Sequence, residues 1–286
     1  MPNVRDLRHR IRSVKNTQQI TRAMKMVASG RLRRAQASVF AARPFAKQML
    51  EMLTSVAART DQSAHPLLVQ RPMEKVMLVL ITADRGLCGA FNANLLRAAE
   101  HYLAGHASQQ VSFLLVGRKG RDYFRRKPIR KVGEYVGLLG KLRFADIQPI
   151  AKQIIDAYTN QEVDAVDFIY NGFKSIMVQR LTVERYLPIP PFSPPLPGQA
   201  LIDYIYEQLP AEIFRDLLPR YVEVQVYRAL LESQAAWLSA QMTAMDAATN
   251  NASELIETYT LQMNRARQAA ITKEIIEIVS GAAAAL

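Results

Sequence analysis

Cysteine is nearly missing from this chain of 286 residues. The single Cys88 excludes an internal disulfide and a CxxC metal or redox pair, and it fits a reducing compartment. Histidine is almost as scarce. His9, His65, His101 and His106 lack metal-ligand spacing and no paired carboxylates stand out, so neither a metal nor a catalytic site is expected. No apolar run approaches the roughly 18 residues that mark a membrane span, and the N-terminus is charged rather than built as a signal peptide. A soluble or peripheral protein is expected. Acidic residues are also short: 25 Asp+Glu face 37 Lys+Arg, a net charge of +12, which asks for an acidic partner such as nucleic acid, an anionic membrane face or an acidic protein surface. Over the longest distance the missing residues are glycine and proline, for neither occurs between Arg220 and Ser280.

That stretch is filled with Ala, Leu, Met, Gln, Glu and Arg, which lose least on entering a helix, and as one helix it would reach roughly 90 Å. Such a helix cannot bury its apolar side in one globule and needs a partner. The N-terminal segment supplies a candidate. Val4, Leu7, Ile11, Val14, Gln18, Thr21, Lys25, Ala28, Leu32, Ala35, Val39 and Ala42 recur at alternating steps of three and four, a coiled-coil seam with a polar middle. A helix from about Asn3 to Arg59 is read here, with Pro44 as a possible bend. In the last helix the inward positions run Val226, Leu230, Ser233, Trp237, Ala240, Ala244, Ala247 and Asn251, and the longer step to Leu255 should loosen the supercoil near Asn250-Asn251.

Between these helices the chain alternates strand and helix. Val76 to Thr82 and Val111 to Val116 read as buried parallel strands, followed by helices from Asn92 and after Gly117; a helix Pro149 to Tyr158 leads to strands Ala165 to Tyr170 and Met177 to Leu187. Pro188, Pro190, Pro191, Pro194, Pro195 and Pro197 then form a stiff connection, and Pro219 should start or kink a helical segment. The fold class is α/β: a long antiparallel coiled coil of the N- and C-terminal helices with an inserted Rossmann-like α/β domain. Its segments are 1–59 (N-terminal helix), 73–187 (α/β domain), 188–209 (proline-rich connection and foot) and 210–286 (C-terminal helix).

Three features invite chemistry. Gly86-x-x-Gly89 and Gly117-x-x-Gly120 follow strands and could cradle phosphate, though neither is GxGxxG or GxxxxGK[ST], and tight turns are the plainer reading. Arg118, Lys119, Arg121, Arg125, Arg126, Lys127, Arg130 and Lys131, with Tyr123 and Phe124 among them, suit either nucleic acid or a solvated helix face. Cys88 is read as a packed thiol. A basic nucleic-acid-binding coiled coil and a Rossmann-like nucleotide-binding enzyme therefore stand as alternatives.

Three longer motifs decide among these. Arg12-Ser13-Val14-Lys15-Asn16-Thr17-Gln18-Gln19-Ile20-Thr21-Arg22-Ala23-Met24-Lys25-Met26-Val27-Ala28, the central Asp84-Arg85-Gly86-Leu87-Cys88-Gly89 with Asn92, and Asn264-Arg265-Ala266-Arg267-Gln268-Ala269-Ala270-Ile271-Thr272-Lys273-Glu274 with Glu277 to Ala283 stand in this order over nearly the whole chain. Together they closely resemble the gamma subunit of F-type ATP synthase. The resemblance implies a non-catalytic rotor shaft without cofactor, standing in a hexamer of alpha and beta subunits, with its α/β domain and foot on the membrane c-ring beside the epsilon subunit. It implies no nucleic acid, and a peripheral place on the cytoplasmic face of a bacterial cell membrane. By motif, Arg267, Gln268 and Thr272 would contact a beta-subunit loop; Met24 and Lys25 would face the acidic lever of beta; Tyr204, Tyr206 and Glu207 would lie near the ring. Ala83 stands where many relatives have Ser or Thr. The cysteine pair of the plastid form is absent, so thiol switching is not expected.

Overall fold

A computed structural model describes residues 3–58, 65–190, 192 and 209–284. Most of the proline-rich connection, with Tyr204, Tyr206 and Glu207, lies outside the described residues. The chain divides into two compact units, Met1–Ser29 with Gln241–Leu286, and Gly30–Ala240.

In the first unit the start of α1 (Val4–Ala57) lies beside the later turns of α5 (Pro210–Ala284). The polar middle of the α1 seam is paired residue by residue. Gln18 Nε2 donates to Ser253 Oγ at 2.7 Å, Thr249 Oγ1 donates to Thr21 Oγ1 at 2.9 Å, and Lys25 Nζ meets Asp246 Oδ1 at 2.5 Å. Numbers rise on α1 as they fall on α5, so the two run antiparallel. Leu7, Thr21 and Ala28 are buried and the remaining seam positions of this unit are half-buried. Polar pairs at a helix seam lock register, because a slip by one turn would leave each group without its partner.

On α5 the inward face differs from the expected one. Met245 and Ala252 are buried and Thr249, Ile256 and Tyr259 half-buried, whereas Ala247, Asn251 and Leu255 are exposed. The slip in phase falls earlier, at 235–239, where Ala235, Ala236, Trp237, Leu238 and Ser239 are all buried and the helix has no outward side. Alanine and serine carry too little hydrophobic contrast to mark a face, which is why the pattern misled.

The second unit is built on a five-stranded sheet in the order β3-β2-β1-β4-β5. Strands β1 (Lys75–Ile81), β2 (Gln110–Val116), β3 (Arg130–Tyr135) and β4 (Ala165–Phe173) run parallel, and β5 (Gln179–Leu187) returns antiparallel along β4. Helices α2 (Phe91–Gly105) and α3 (Arg118–Phe124) are the crossovers that parallel neighbours need, and α4 (Phe144–Thr159) carries the chain from the edge strand β3 across to β4. β1 and β4 are buried almost throughout, as continuous apolar runs should be.

Strand β3 has no counterpart in the expected element order. Its sequence, Arg-Lys-Val-Gly-Glu-Tyr, is short, charged and at the sheet's edge, the composition that protects an edge from pairing with another chain and hides it from an apolar pattern. Proline misled at Pro149, which lies inside its helix rather than starting it. Pro44, Pro149 and Pro219 all lie inside helices, each removing one backbone donor without ending its helix. Helix α4 starts at Phe144, five residues before the expected start, where Asp146 accepts from the Arg143 N–H in a capping box.

Candidate functional site

In a parallel sheet the crevice beyond the carboxyl ends of the strands is where nucleotides bind. Here the chain fills it with its own groups. Thr82, fully buried after β1, donates through Oγ1 to the Val116 carbonyl at 3.0 Å and accepts from the Gly120 N–H at 2.8 Å. The Gly117 N–H goes to the Tyr135 carbonyl at 2.7 Å and that of Lys119 to the Ala83 carbonyl at 3.1 Å. Asp84 Oδ1 accepts from the amides of Arg118 at 3.1 Å and Gly137 at 2.8 Å. Every amide from Gly117 to Gly120 is therefore engaged, and a carboxylate sits where a phosphate would be expected. The two glycines serve close approach: a Cβ on Gly117, at φ +93, would lie 1.9 Å from the Thr82 carbonyl oxygen, and one on Gly120 would lie 2.9 Å from Thr82 Oγ1. The turn reading of Gly117-x-x-Gly120 holds.

The neighbouring loop is organised by Asn92. Its Oδ1 accepts from the Ala83 N–H at 3.0 Å, and its Nδ2 reaches the Arg85 carbonyl at 3.4 Å and Cys88 Sγ at 3.2 Å. Burial pushes the Cys88 thiol above its ordinary pKa, which keeps it protonated and a poor nucleophile. Sequence reasoning overlooked Leu87. It stands 62% exposed at φ 60, an apolar side chain held outward by a left-handed backbone. Only its place in the Asp84 to Gly89 motif could have flagged it.

The basic run is dispersed rather than gathered on one helix. Arg118, Lys119 and Arg121 lie on α3, Arg125 to Lys127 in the following turn, and Arg130 and Lys131 on β3. Arg121 pairs with Asp122, Lys127 with Glu100, and Lys131 Nζ donates to the Arg125 carbonyl. Among the described residues no group of three or more His, Cys, Asp or Glu could hold a metal ion.

The two terminal-helix sites are both described. On α1, Met24 is half-buried and Lys25 is held by Asp246; the strongly exposed apolar neighbours are Ile20, Met26 (64% exposed) and Val27. On α5, Arg267, Gln268 and Thr272 are exposed, and Thr272 Oγ1 donates to the Gln268 carbonyl of its own helix. Every residue from 271 to 280 is exposed, including Ile271, Ile275, Ile276, Val279 and Ile278, the last at 72%. A helix with isoleucines in water on several sides is not finished by its own chain. No helix among the described residues is long and apolar enough to cross a membrane.

Comparison with known proteins extends over the whole length. A family model described as ATP synthase matches residues 3–285. The ATP synthase gamma chain of Solibacter usitatus is 53% identical over 290 residues, covering all of both chains, and that of Desulfitobacterium hafniense is 48% identical over 285 residues, covering 99% of each. A chain of the central stalk and c-ring structure of Tetrahymena thermophila mitochondrial ATP synthase is similar with a TM-score of 0.60 and 26% identity, over 80% of this chain and 99% of that one. A chain of the Euglena gracilis mitochondrial ATP synthase shares the fold with a TM-score of 0.68 at 18% identity, over 98% of this chain and 94% of that one.

Proposed function

This chain belongs to the ATP synthase gamma-chain family, and from that membership we infer how its parts work. It is the central rotor shaft of an F-type ATP synthase. Without catalysing anything itself, it couples rotation of the membrane ring to conformational change in the catalytic hexamer of alpha and beta subunits. The observation that carries the reading is the uncovered end of α5, where 271–280 leave five large aliphatic side chains in water. A shaft that turns inside a ring needs such a surface: apolar enough to be held, and poor in the directional bonds that would lock one angle.

The antiparallel pairing of α1 with α5 is read as a coiled coil, whose seam on α1 keeps its three-four spacing from Val4 to Ala42. The sheet unit is read as a Rossmann-like domain that has given up nucleotide binding, since Asp84 and Thr82 occupy the crevice. We assign 1–59 and 210–286 to the shaft, 73–187 to the domain and 188–209 to the foot. Arg267, Gln268 and Thr272 are proposed to contact a beta-subunit loop, Met24 and Lys25 the acidic lever of beta, and Tyr204, Tyr206 and Glu207 the ring. The epsilon subunit would sit beside the α/β domain, and the complex on the cytoplasmic face of the membrane.

Rotation is the direct test. With Lys174, an exposed residue before β5, changed to cysteine as a bead anchor, the chain co-expressed with its alpha and beta subunits should be recovered in one ATPase complex. The bead should turn when ATP is added. A complex that hydrolyses ATP while the bead stays still would refute the rotor role.

A further inference from the structure

One cavity is absorbed by nothing above. In the second unit, α1, the loop after β3 and α5 line an open cleft of about 600 Å³. Arg31 and Arg34 line it from α1 and Lys141 from the loop, and no carboxylate lines it. None of the three cations forms an ion pair among the described residues. All three side chains are exposed, so water screens much of their mutual repulsion, but together they hold a positive field over the space that draws a counter-charge from outside. A second observation points the same way. Trp237 forms part of the wall, is 4% exposed, and its Nε1–H finds no acceptor among the described residues. A buried donor without an acceptor is costly, and a bound anion would supply the acceptor.

The wall is held in place beforehand. Gln234 Nε2 donates to the Leu139 carbonyl at 2.8 Å, and the Gly137 N–H is tied to Asp84. A Cβ on Gly140 would meet nothing within 4 Å, so the loop leaves the approach open. We propose that this cavity binds a phosphate-bearing small anion, with Arg31, Arg34 and Lys141 taking its oxygens and the Trp237 indole as a further donor. Phosphate fits better than a lone carboxylate because it offers several acceptor oxygens and up to two charges to three separate cations. The space is within the range of small-molecule sites and larger than orthophosphate needs, so an organic phosphate could lay its apolar part along the leucine wall.

Trp237 is the chain's only tryptophan, so the site carries its own reporter. The full chain at low concentration is titrated with pyrophosphate and with ADP while tryptophan emission is followed, against sodium chloride at matched ionic strength. A saturable change with either phosphate compound and none with chloride is expected, and the tighter of the two identifies whether inorganic or organic phosphate is the occupant. Lys141→Gln, in the loop, and Arg34→Gln should each weaken binding at least tenfold while far-UV dichroism stays unchanged. Trp237→Phe, followed by calorimetry, should weaken it several-fold. No response, an equal response to chloride, or unchanged affinity in Lys141→Gln would overturn the proposal. So would tighter saturation by a glutamate-rich peptide, which would assign the cations to an acidic protein surface. Because the isolated chain is measured, either result leaves the rotor role untouched.

Discussion

Single residues carry strain and charge that the backbone trace alone does not suggest. Gly117 is the sharpest case, since a methyl group there would have to displace the Thr82 carbonyl at the end of β1. Gly117→Ala should cost about 3 kcal/mol or more, combining a positive φ with a buried clash, and denaturant unfolding of the full chain measures it. A loss below about 1 kcal/mol would mean the loop yields. Phenols supply a pH dependence whose sign is fixed. Burial, with Glu184 beside it, pushes the Tyr170 pKa from 10.0 up to about 12. Burial and then the bond to Asp167, itself held by Arg185 at 2.8 Å, raise Tyr102 in the same direction. A raised pKa means that the folded chain binds the proton more tightly than the unfolded one. Stability is then full below about pH 10 and is lost as pH rises towards the folded value. Tyr170→Phe should flatten that alkaline decline, and an unchanged slope in denaturation against pH would exclude Tyr170 as its source. Little of this was legible beforehand. Gly117 could be recognised as a turn, but its neighbours Thr82 and Asp84 act across separate elements, and spacing along the chain does not reveal such contacts.

At the scale of elements, legibility followed hydrophobic contrast. The inward face of α1 was legible because leucine and valine alternate with arginine, and Leu7, Ala28, Leu32, Ala35 and Val39 are buried. The later half of α5 was misread by one position because alanines occur on all its sides. That difference can be tested with one substitution at two sites. Ala252→Asp places a carboxylate on the buried face and should cost several kcal/mol, on the order of 3 to 5, because the charge has no partner there. Ala247→Asp lies on the exposed face and should change stability by about 0.5 kcal/mol or less. Equal effects in thermal unfolding would mean that neither phase describes the helix. Strand β3 escaped notice for the opposite reason, being charged where strands are usually apolar. Gly133 shows that it is nonetheless packed: a Cβ there would lie 2.8 Å from Gln153 Oε1, the oxygen that accepts from the Tyr135 hydroxyl.

For the whole molecule, physics alone led from a helix too long for one globule to a need for partners, and the motifs at both ends and in the middle supplied which partners. The contacts themselves can be probed only in the assembled complex. Arg267→Ala and Gln268→Ala should lower ATPase turnover while nucleotide binding persists, since each would remove a proposed polar contact to beta from an exposed stretch of α5. Charge-assisted bonds of this kind contribute about 1.5 to 3 kcal/mol, and loss of all nucleotide binding would contradict the assignment. Met24 tests the sliding surface itself. Methionine there is half-buried and offers little directional preference, and the adjacent cation Lys25 is already engaged by Asp246, half in water and so worth at most about 1 kcal/mol. Met24→Lys would add a second, unpaired cation facing the proposed acidic lever of beta. Partly shielded from water, that new pair could favour one rotor angle by about 1 to 3 kcal/mol over the others. Rotation has to break it at every step. ATP hydrolysis should therefore continue while proton pumping per ATP falls, and higher ionic strength should ease the loss to the extent that the pair stays exposed. Met24→Leu keeps volume and neutrality and serves as the control. The measurement is the ratio of pumping to hydrolysis in reconstituted vesicles, and equal ratios for the lysine and leucine variants would exclude an electrostatic catch at this position.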